Sequence, residues 1–171
     1  TGKGSGHGVD NKIYGVGFSP DLVWTRDRPA GVYDHYVFDT LRGTGVTKGL
    51  RTSSNSAETM ANQAYDSLTS FDYDGFTFTG GQYGSIYQNR GGADYIAWCW
   101  DMGGTTATNT SGGITSTVRA NTTYGQSIVS YTGAGTSENT VGHGLSSVPE
   151  MDITKSRTDQ SSEMNWITYH V

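Results

Sequence analysis

One cysteine, three prolines and a thin supply of charge set the first limits on this 171-residue chain. The lone thiol, Cys99, excludes an intrachain disulfide. It sits in Tyr95–Trp100, Y-I-A-W-C-W, where a free cysteine reads as a small apolar residue of a core strand. A nucleophilic thiol needs a neighbouring base to lower its pKa, and no local motif supplies one. Charged residues make up 16% and apolar residues 33%, both low for a globular chain. The net charge of −5 offers no long-range attraction to nucleic acid or to anionic membranes. No apolar run approaches the roughly 20 residues that a helix needs to cross a bilayer, so no membrane insertion is expected. No helical stripe is sustained, which argues against bundles and doubly wound folds.

Cofactor grammar is also missing. His7, His35, His143 and His170 show no H-x-x-x-H or similar metal-ligand spacing, so no metal site is expected. Gly2-x-Gly4-x-Gly6 and the other glycine clusters precede neither a helix signal nor a Gly-Lys-Ser/Thr, which excludes a phosphate loop. No cofactor is expected.

What is abundant is glycine, with 25 residues, and tyrosine, with 11, among many threonines and serines. Aromatic and β-branched residues punctuated by glycine favour strands joined by turns. Taken in order, residues 1–12 read as a polar loop or weak edge strand, and Ile13–Phe18 as a short strand broken by Gly15 and Gly17. Leu22–Thr25 follows Pro20, which cannot donate to a ladder and suits a strand's entry. Tyr33–Leu41 alternates, with Tyr33, His35, Val37, Asp39 and Leu41 on one face and Tyr36, Phe38 and Thr40 on the other. Residues 55–66 hold the one short helix signal, capped by Ser54 or Asn55. Leu68–Phe78 reads as two strands about a tight Asp74-Gly75 turn. Thr79–Gly92 is a loop, Asp94–Trp100 a strand, and Met102–Gly113 a low-complexity linker. Ile114–Val118 and Ser127–Tyr131 are further strands, followed by strand-like Gly142–Leu145, Met151–Thr154 and Trp166–Val171. Short strands with turns every eight to twelve residues predict an all-β fold with little helix, an antiparallel β-sandwich or jelly roll.

The chain also repeats itself. Gly15–Arg28, G-V-G-F-S-P-D-L-V-W-T-R-D-R, returns as Gly142–Arg157, G-H-G-L-S-S-V-P-E-M-D-I-T-K-S-R. Pro20 matches Pro149 and Arg28 matches Arg157, both at an offset of 129 (149−20 and 157−28). Thr1-Gly-Lys-Gly is echoed by Thr132-Gly-Ala-Gly at an offset of 131 (132−1). The repeat predicts one complete β-sandwich unit over 1–131 and the opening strands of a second over 132–171. Completion of that second unit is expected from a continuation of the chain or from a neighbouring subunit.

Candidate chemistry is sparse. Asp72 and Asp74, with Asp66 nearby, give D-x-D-G, a fragment of calcium-loop grammar without the spaced acceptors and distal glutamate; turn acids are the simpler reading. A glycosidase needs two carboxylates across a cleft. Asp34, Asp39, Asp72, Asp74, Asp94, Asp101 and Glu58 supply acids, but nothing singles out a pair, so no catalytic residues and no enzyme activity are expected. The loop Gln82–Arg90 is the candidate ligand surface: Tyr83 and Tyr87 suit stacking on sugar rings, and Gln88, Asn89 and Arg90 suit hydrogen bonds to hydroxyls. Packing against a neighbouring subunit explains the same composition. Asn109-Thr-Ser and Asn121-Thr-Thr fit the acceptor pattern for N-linked glycans.

Several strings together resemble one family: G-F-S-P-D-L-V-W-T-R-D-R, H-Y-V-F-D-T-L-R-G, L-R-T-S-S-N-S-A-E, L-T-S-F-D-Y-D-G-F-T-F, Y-I-A-W-C-W, I-V-S-Y-T-G-A-G-T and V-G-H-G-L-S-S-V-P-E. They resemble the repeated lectin-like domains of virion-surface and tail-fibre proteins of tailed phages, especially marine ones. The resemblance covers nearly the whole chain and implies a concanavalin-like β-sandwich on an extracellular fibre. It departs at Met151-Asp152-Ile153, where the pattern expects apolar residues throughout. The expected function is a non-enzymatic structural or adhesive unit of an extracellular assembly, most simply a tail-fibre or virion-surface protein. The alternative is a carbohydrate-binding receptor module or a subunit of a microbial surface filament. The expected partners are other copies of the chain and host cell-surface glycans, with no role for nucleic acid.

Overall fold

The computed structural model describes residues 2–3, 9–28, 34–45, 47–58, 67–79, 88–135, 139–158 and 165–171. Among the described residues the regular structure is strand and no helix forms. The strands are β1 (Gly2–Lys3), β2 (Asn11–Tyr14), β3 (Leu22–Asp27), β4 (Tyr36–Asp39), β5 (Leu50–Arg51), β6 (Leu68–Asp72), β7 (Gly75–Phe78), β8 (Asp94–Trp100), β9 (Ala107–Asn109), β10 (Ser116–Asn121), β11 (Gln126–Tyr131), β12 (Met151–Thr154) and β13 (Ile167–His170). The helix expected over 55–66 is absent from 55–58, and residues 59–66 lie outside the described residues.

The first eight strands make an antiparallel β-sandwich. One sheet runs β1-β8-β3-β4-β5 and the other β2-β7-β6. Their inner faces meet through Val23, Tyr36 and Phe38 on one side and Leu68, Phe76 and Phe78 on the other. Phe38 meets Phe78 edge-on, with ring centroids 5.7 Å apart. This is the arrangement that ring quadrupoles favour, and each buried aromatic or large aliphatic side chain contributes about 1.5–3 kcal/mol. The period-2 reading of the chain is realised in β3, where Val23, Thr25 and Asp27 point inward while Arg26 is exposed. In β4 the face carrying Tyr36 and Phe38 is the core face. Asp39 on the opposite face is buried as well, because Arg42 folds back onto it.

The hairpin expected over Leu68–Phe78 forms, but its turn lies one residue earlier than Asp74-Gly75. Asp72 pairs with Gly75 across a loop of Tyr73 and Asp74, and Gly75 opens β7. Only glycine fits at 75: a Cβ there would lie 1.8 Å from the Ile13 carbonyl oxygen of β2. Asp74 then ties the adjacent loop, its carboxylate accepting the Gly15 and Gly17 N–H groups at 3.2 and 2.6 Å. Both glycines have positive φ, 86° and 90°, which a side chain would strain.

Beyond Trp100 the chain leaves the sandwich. The stretch expected to be a linker, Met102–Gly113, instead contains β9, which pairs with β10 in the antiparallel sheet β11-β10-β9. Its Ala-Thr-Asn segment has weak local preferences, and the ladder offered by Ser116–Val118 makes it a strand. This sheet is fastened to the sandwich by Arg119, whose guanidinium reaches the buried Asp21 at 2.8 Å. Asp21 also accepts the Met102 N–H at 3.0 Å. The Asn121 and Gln126 side-chain amides donate to the Asp101 carbonyl. The strand expected at Gly142–Leu145 is not formed. Val141 makes a single parallel bridge to Ile114, and the residues after it are irregular.

The internal repeat extends into three dimensions. β12 occupies the positions of Leu22–Thr25 shifted by 129 (151−22). In the first copy Leu22, Val23, Trp24 and Thr25 pair with Asp39, Phe38, Val37 and Tyr36. In the second copy Met151, Asp152, Ile153 and Thr154 pair with His170, Tyr169, Thr168 and Ile167. β13 is therefore β4 shifted by 131 (167−36), and the antiparallel pair recurs in register. Val23, Thr25, Tyr36 and Phe38 form the core face of the first pair. Their counterparts are Asp152, Thr154, Ile167 and Tyr169, and among the described residues no strand pair covers them as β6–β7 covers the first face: Ile167 is 67% and Tyr169 61% exposed. Asp152 and Thr154 confirm the shared face, since the Thr154 hydroxyl donates to both Asp152 carboxylate oxygens at 3.2–3.3 Å.

Candidate functional site

Among the described residues, an extended polar network lies where the second copy meets the first. Arg42 follows β4 in a tight turn whose carbonyl at Asp39 accepts the Gly43 N–H. Its side chain is buried and fully employed. Nε reaches Asp39 Oδ2 at 2.5 Å, Nη1 reaches Glu58 Oε1 at 3.0 Å and the Lys48 carbonyl at 2.7 Å, and Nη2 donates to the Val37 carbonyl. A guanidinium is suited to this role because its planar fork offers five donors and stays charged. The two carboxylates flanking it are also almost wholly buried.

Glu58 is shared between the copies. Its second oxygen, Oε2, accepts Arg157 Nε at 2.7 Å, and its backbone N–H donates to the Arg157 carbonyl at 3.0 Å. Arg157 also reaches the Ser130 hydroxyl at 2.8 Å, so one side chain touches the sandwich loop and β11 together. Two further contacts flank this one. Lys155 Nζ donates to the Asn55 carbonyl at 2.9 Å, and burial lowers the pKa of its ammonium from the usual value. Trp166 Nε1 donates to the Arg51 carbonyl at 2.7 Å. Between these contacts lies an open depression of about 520 Å³ lined by Thr52, Ser53, Ser54, Asn55, Asn165 and Trp166. Its walls are hydroxyls, side-chain amides and one indole. Three of the hydroxyls are already engaged internally: Thr52 accepts Trp24 Nε1, Ser53 donates to Asp34, and Ser54 meets Ser56.

The expected ligand loop is drawn differently. Tyr83 and Tyr87 lie outside the described residues. Gln88 and Asn89 are corrected: both are buried, at 2% and 0% exposure, and point inward. The Asn89 amide donates to the Val9 carbonyl at 3.0 Å and the Gln88 amide to the Asp34 carbonyl at 3.4 Å. They anchor the base of the loop, because a buried amide group must spend its hydrogen bonds on the chain itself. Arg90 is half-exposed, with its guanidinium 3.4 Å from Asp27 and its N–H on the Tyr95 hydroxyl. Burial raises the Asp27 pKa from the ordinary carboxylate value, with Arg90 and then Arg26 opposing and Asp94 reinforcing the shift.

The glycan-acceptor asparagines are both half-buried. Asn109 accepts the Ser111 N–H, and Asn121 accepts the Thr123 and Tyr124 N–H groups in the β10–β11 turn. Asn121 also commits its amide nitrogen to the Asp101 carbonyl at 3.2 Å.

The acids of D-x-D-G serve the hairpin. Asp72 accepts the Ser70 and Thr77 hydroxyls, and Asp74 holds the Gly15–Gly17 loop. Among the described residues no three His, Cys, Asp or Glu side chains come together to hold a metal. Cys99 packs against the sandwich core, and burial pushes its thiol pKa up to about 11. His35 is pushed down from the usual imidazole value, first by burial and then by Arg26, with Asp34 opposing. The junction of Arg42, Glu58 and Arg157 was missed by reading the sequence. The only trace of it there is the recurrence of Arg28 as Arg157.

A family model described as a domain of unknown function (DUF7483) matches residues 2–171, and the chain belongs to that family. No curated protein and no solved structure matches it.

Proposed function

We propose that this member of the DUF7483 family is a non-enzymatic structural unit of an extracellular assembly, of the tail-fibre or virion-surface kind that its sequence resembles. One observation carries the reading: the β3–β4 pair recurs in register as β12–β13, with the face equivalent to the core left open. An uncovered strand pair exposing Met151, Ile153, Ile167, Tyr169 and Val171 is adhesive, and its free edges are ready to accept further strands. Neighbouring repeat units supply that cover in an assembly. The charges at the junction act in holding units together: Arg42 and Glu58 have their donors and acceptors taken up by the fold and by Arg157.

The test is the mass of the 171-residue chain in solution, measured by light scattering over a concentration series, with hydrogen exchange on the same sample. The expected result is a multimer in which β12–β13 amides exchange slowly. A monomer with β12–β13 amides as protected as those of β3–β4 would refute it.

A second reading, a carbohydrate-binding module on that assembly, has its support in the depression at Trp166 with its amide and hydroxyl walls, and in the sequence pair Tyr83 and Tyr87. Weak sites repeated along a fibre gain avidity. On a polysaccharide array, Tyr87→Ala should weaken binding while leaving the fold intact. Unchanged binding, or no bound glycan at all, would leave the tyrosines as packing residues.

A further inference from the structure

We propose that the Arg26–Arg28 end of β3 is a docking surface for the Arg51–Glu58 segment of a second copy of the chain, engaged when that copy's own Lys155, Arg157 and Trp166 leave the segment, so that units stack head to tail in the way the two repeats already do within one molecule. The proposal rests on the reading of the chain as an assembly unit and specifies how its units join.

The second copy is seated on Arg51–Glu58 by three donors: the Lys155 ammonium on the Asn55 carbonyl, the Arg157 guanidinium on Glu58, and the Trp166 ring N–H on the Arg51 carbonyl. The offsets of the repeat assign each a counterpart in the first copy. Lys155 and Arg157 correspond to Arg26 and Arg28 (155−26 and 157−28, both 129), and Trp166 corresponds to His35 (166−35, 131). The chemistry is kept at every position: a cation for a cation, a guanidinium for a guanidinium, and a ring N–H for a ring N–H. None of these three is needed for the core. Arg26 and Arg28 are exposed, and His35 is half-exposed. Among the described residues neither Arg26 nor Arg28 makes an ion pair, and the Arg28 backbone N–H donates to the Asp94 carbonyl.

The same kind of surface that binds Arg51–Glu58 within the chain is thus presented a second time, with no ion pair to a carboxylate among the described residues. Such a contact is heterologous: one patch meets a different patch, which propagates into a linear array and does not close as a twofold dimer. Complementary charge sets the register, with one buried acceptor, Glu58, facing one guanidinium.

In an isolated chain the Arg51–Glu58 seat is filled by its own Arg157, which has the advantage of being tethered. Arg157→Glu combined with Lys155→Ala and Trp166→Ala removes all three tethering donors and frees the seat for Arg28 of another copy, and Arg157→Ala in the same background does so without adding charge. Arg157 is partly exposed, so neither change at 157 removes a core contact. Sedimentation should show the weight-average mass of both variants rising above wild type by twofold or more at about 1 mM, the effective concentration that short tethers supply. Adding Arg28→Glu should return the mass to the wild-type value, and so should 0.5 M salt if charge sets the contact. If the variants show no added association, or association that persists with Arg28→Glu, the docking mode is overturned. The wild-type mass tests the assembly reading separately: multimeric wild type with no Arg28 dependence removes the docking mode alone.

Discussion

Replacing Arg42 by methionine should be among the most damaging single changes outside the apolar core. The guanidinium is the shared partner of Asp39 and Glu58, two carboxylates almost wholly removed from solvent. Removing one member of a buried ion pair strands the other, at a cost of about 3–5 kcal/mol. Two contacts place this case at the low end. The residue-42 backbone N–H still reaches Asp39 Oδ1 at 2.8 Å, and Arg157 still reaches Glu58 Oε2. Methionine also replaces most of the arginine stem, which limits any cavity. A loss of about 3 kcal/mol lowers Tm by roughly 6–12 °C for a chain of this size. Urea unfolding followed by tryptophan fluorescence should give an earlier midpoint with an unchanged slope. The double variant Arg42→Met/Glu58→Gln removes one of the two stranded charges. It should be more stable than the sum of the single effects by about 1 kcal/mol or more, as expected for groups in one network. A loss below about 1 kcal/mol in Arg42→Met, or strict additivity in the double variant, would refute the argument that this cation holds the turn together.

Two other outcomes follow from local geometry. Gly75→Ala places a methyl group against the Ile13 carbonyl and should push β2 from β7, with a loss of about 3 kcal/mol, the upper part of the overpacking range; an unfolding midpoint within error of wild type would contradict it. Cys99, with a thiol pKa of about 11, should be nearly inert to a thiol reagent at pH 8 in the folded chain and react fully in guanidinium. Because burial raises this pKa above its unfolded value of 9.0, the contribution to stability is complete below pH 9 and lost as pH rises towards 11. Rapid labelling of the native chain at pH 8 would contradict the burial.

Much of the fold is local and so was legible. Alternation through Tyr36–Phe38, a hairpin within Leu68–Phe78 and proline before a strand are each set by a few neighbouring residues, and each appears in the structure, the hairpin turn falling one residue before Asp74-Gly75. Where partners decide, the sequence was silent. Ala107–Asn109 became a strand only because β10 lies beside it, and Gly142–Leu145 failed to become one although it also lies against β10, its backbone turning at Gly144 with a φ of 74°. The loop residues Gln88 and Asn89 carry polar amides suited to a surface, yet carbonyls at Asp34 and Val9, 54 and 80 residues away, draw them inward.

The sequence by itself determined an all-β chain whose first strand unit returns near its end, because periodicity and turn chemistry are written in adjacent residues. The tertiary structure alone decided what the repeat does. Asp39 and Arg42 are neighbours in one turn, but no pattern along the chain links them to Glu58 and Arg157, since an ion pair depends on distance in space and burial. Folding brings all four together, and only there does the recurrence of Arg28 as Arg157 become a contact between one unit and the next.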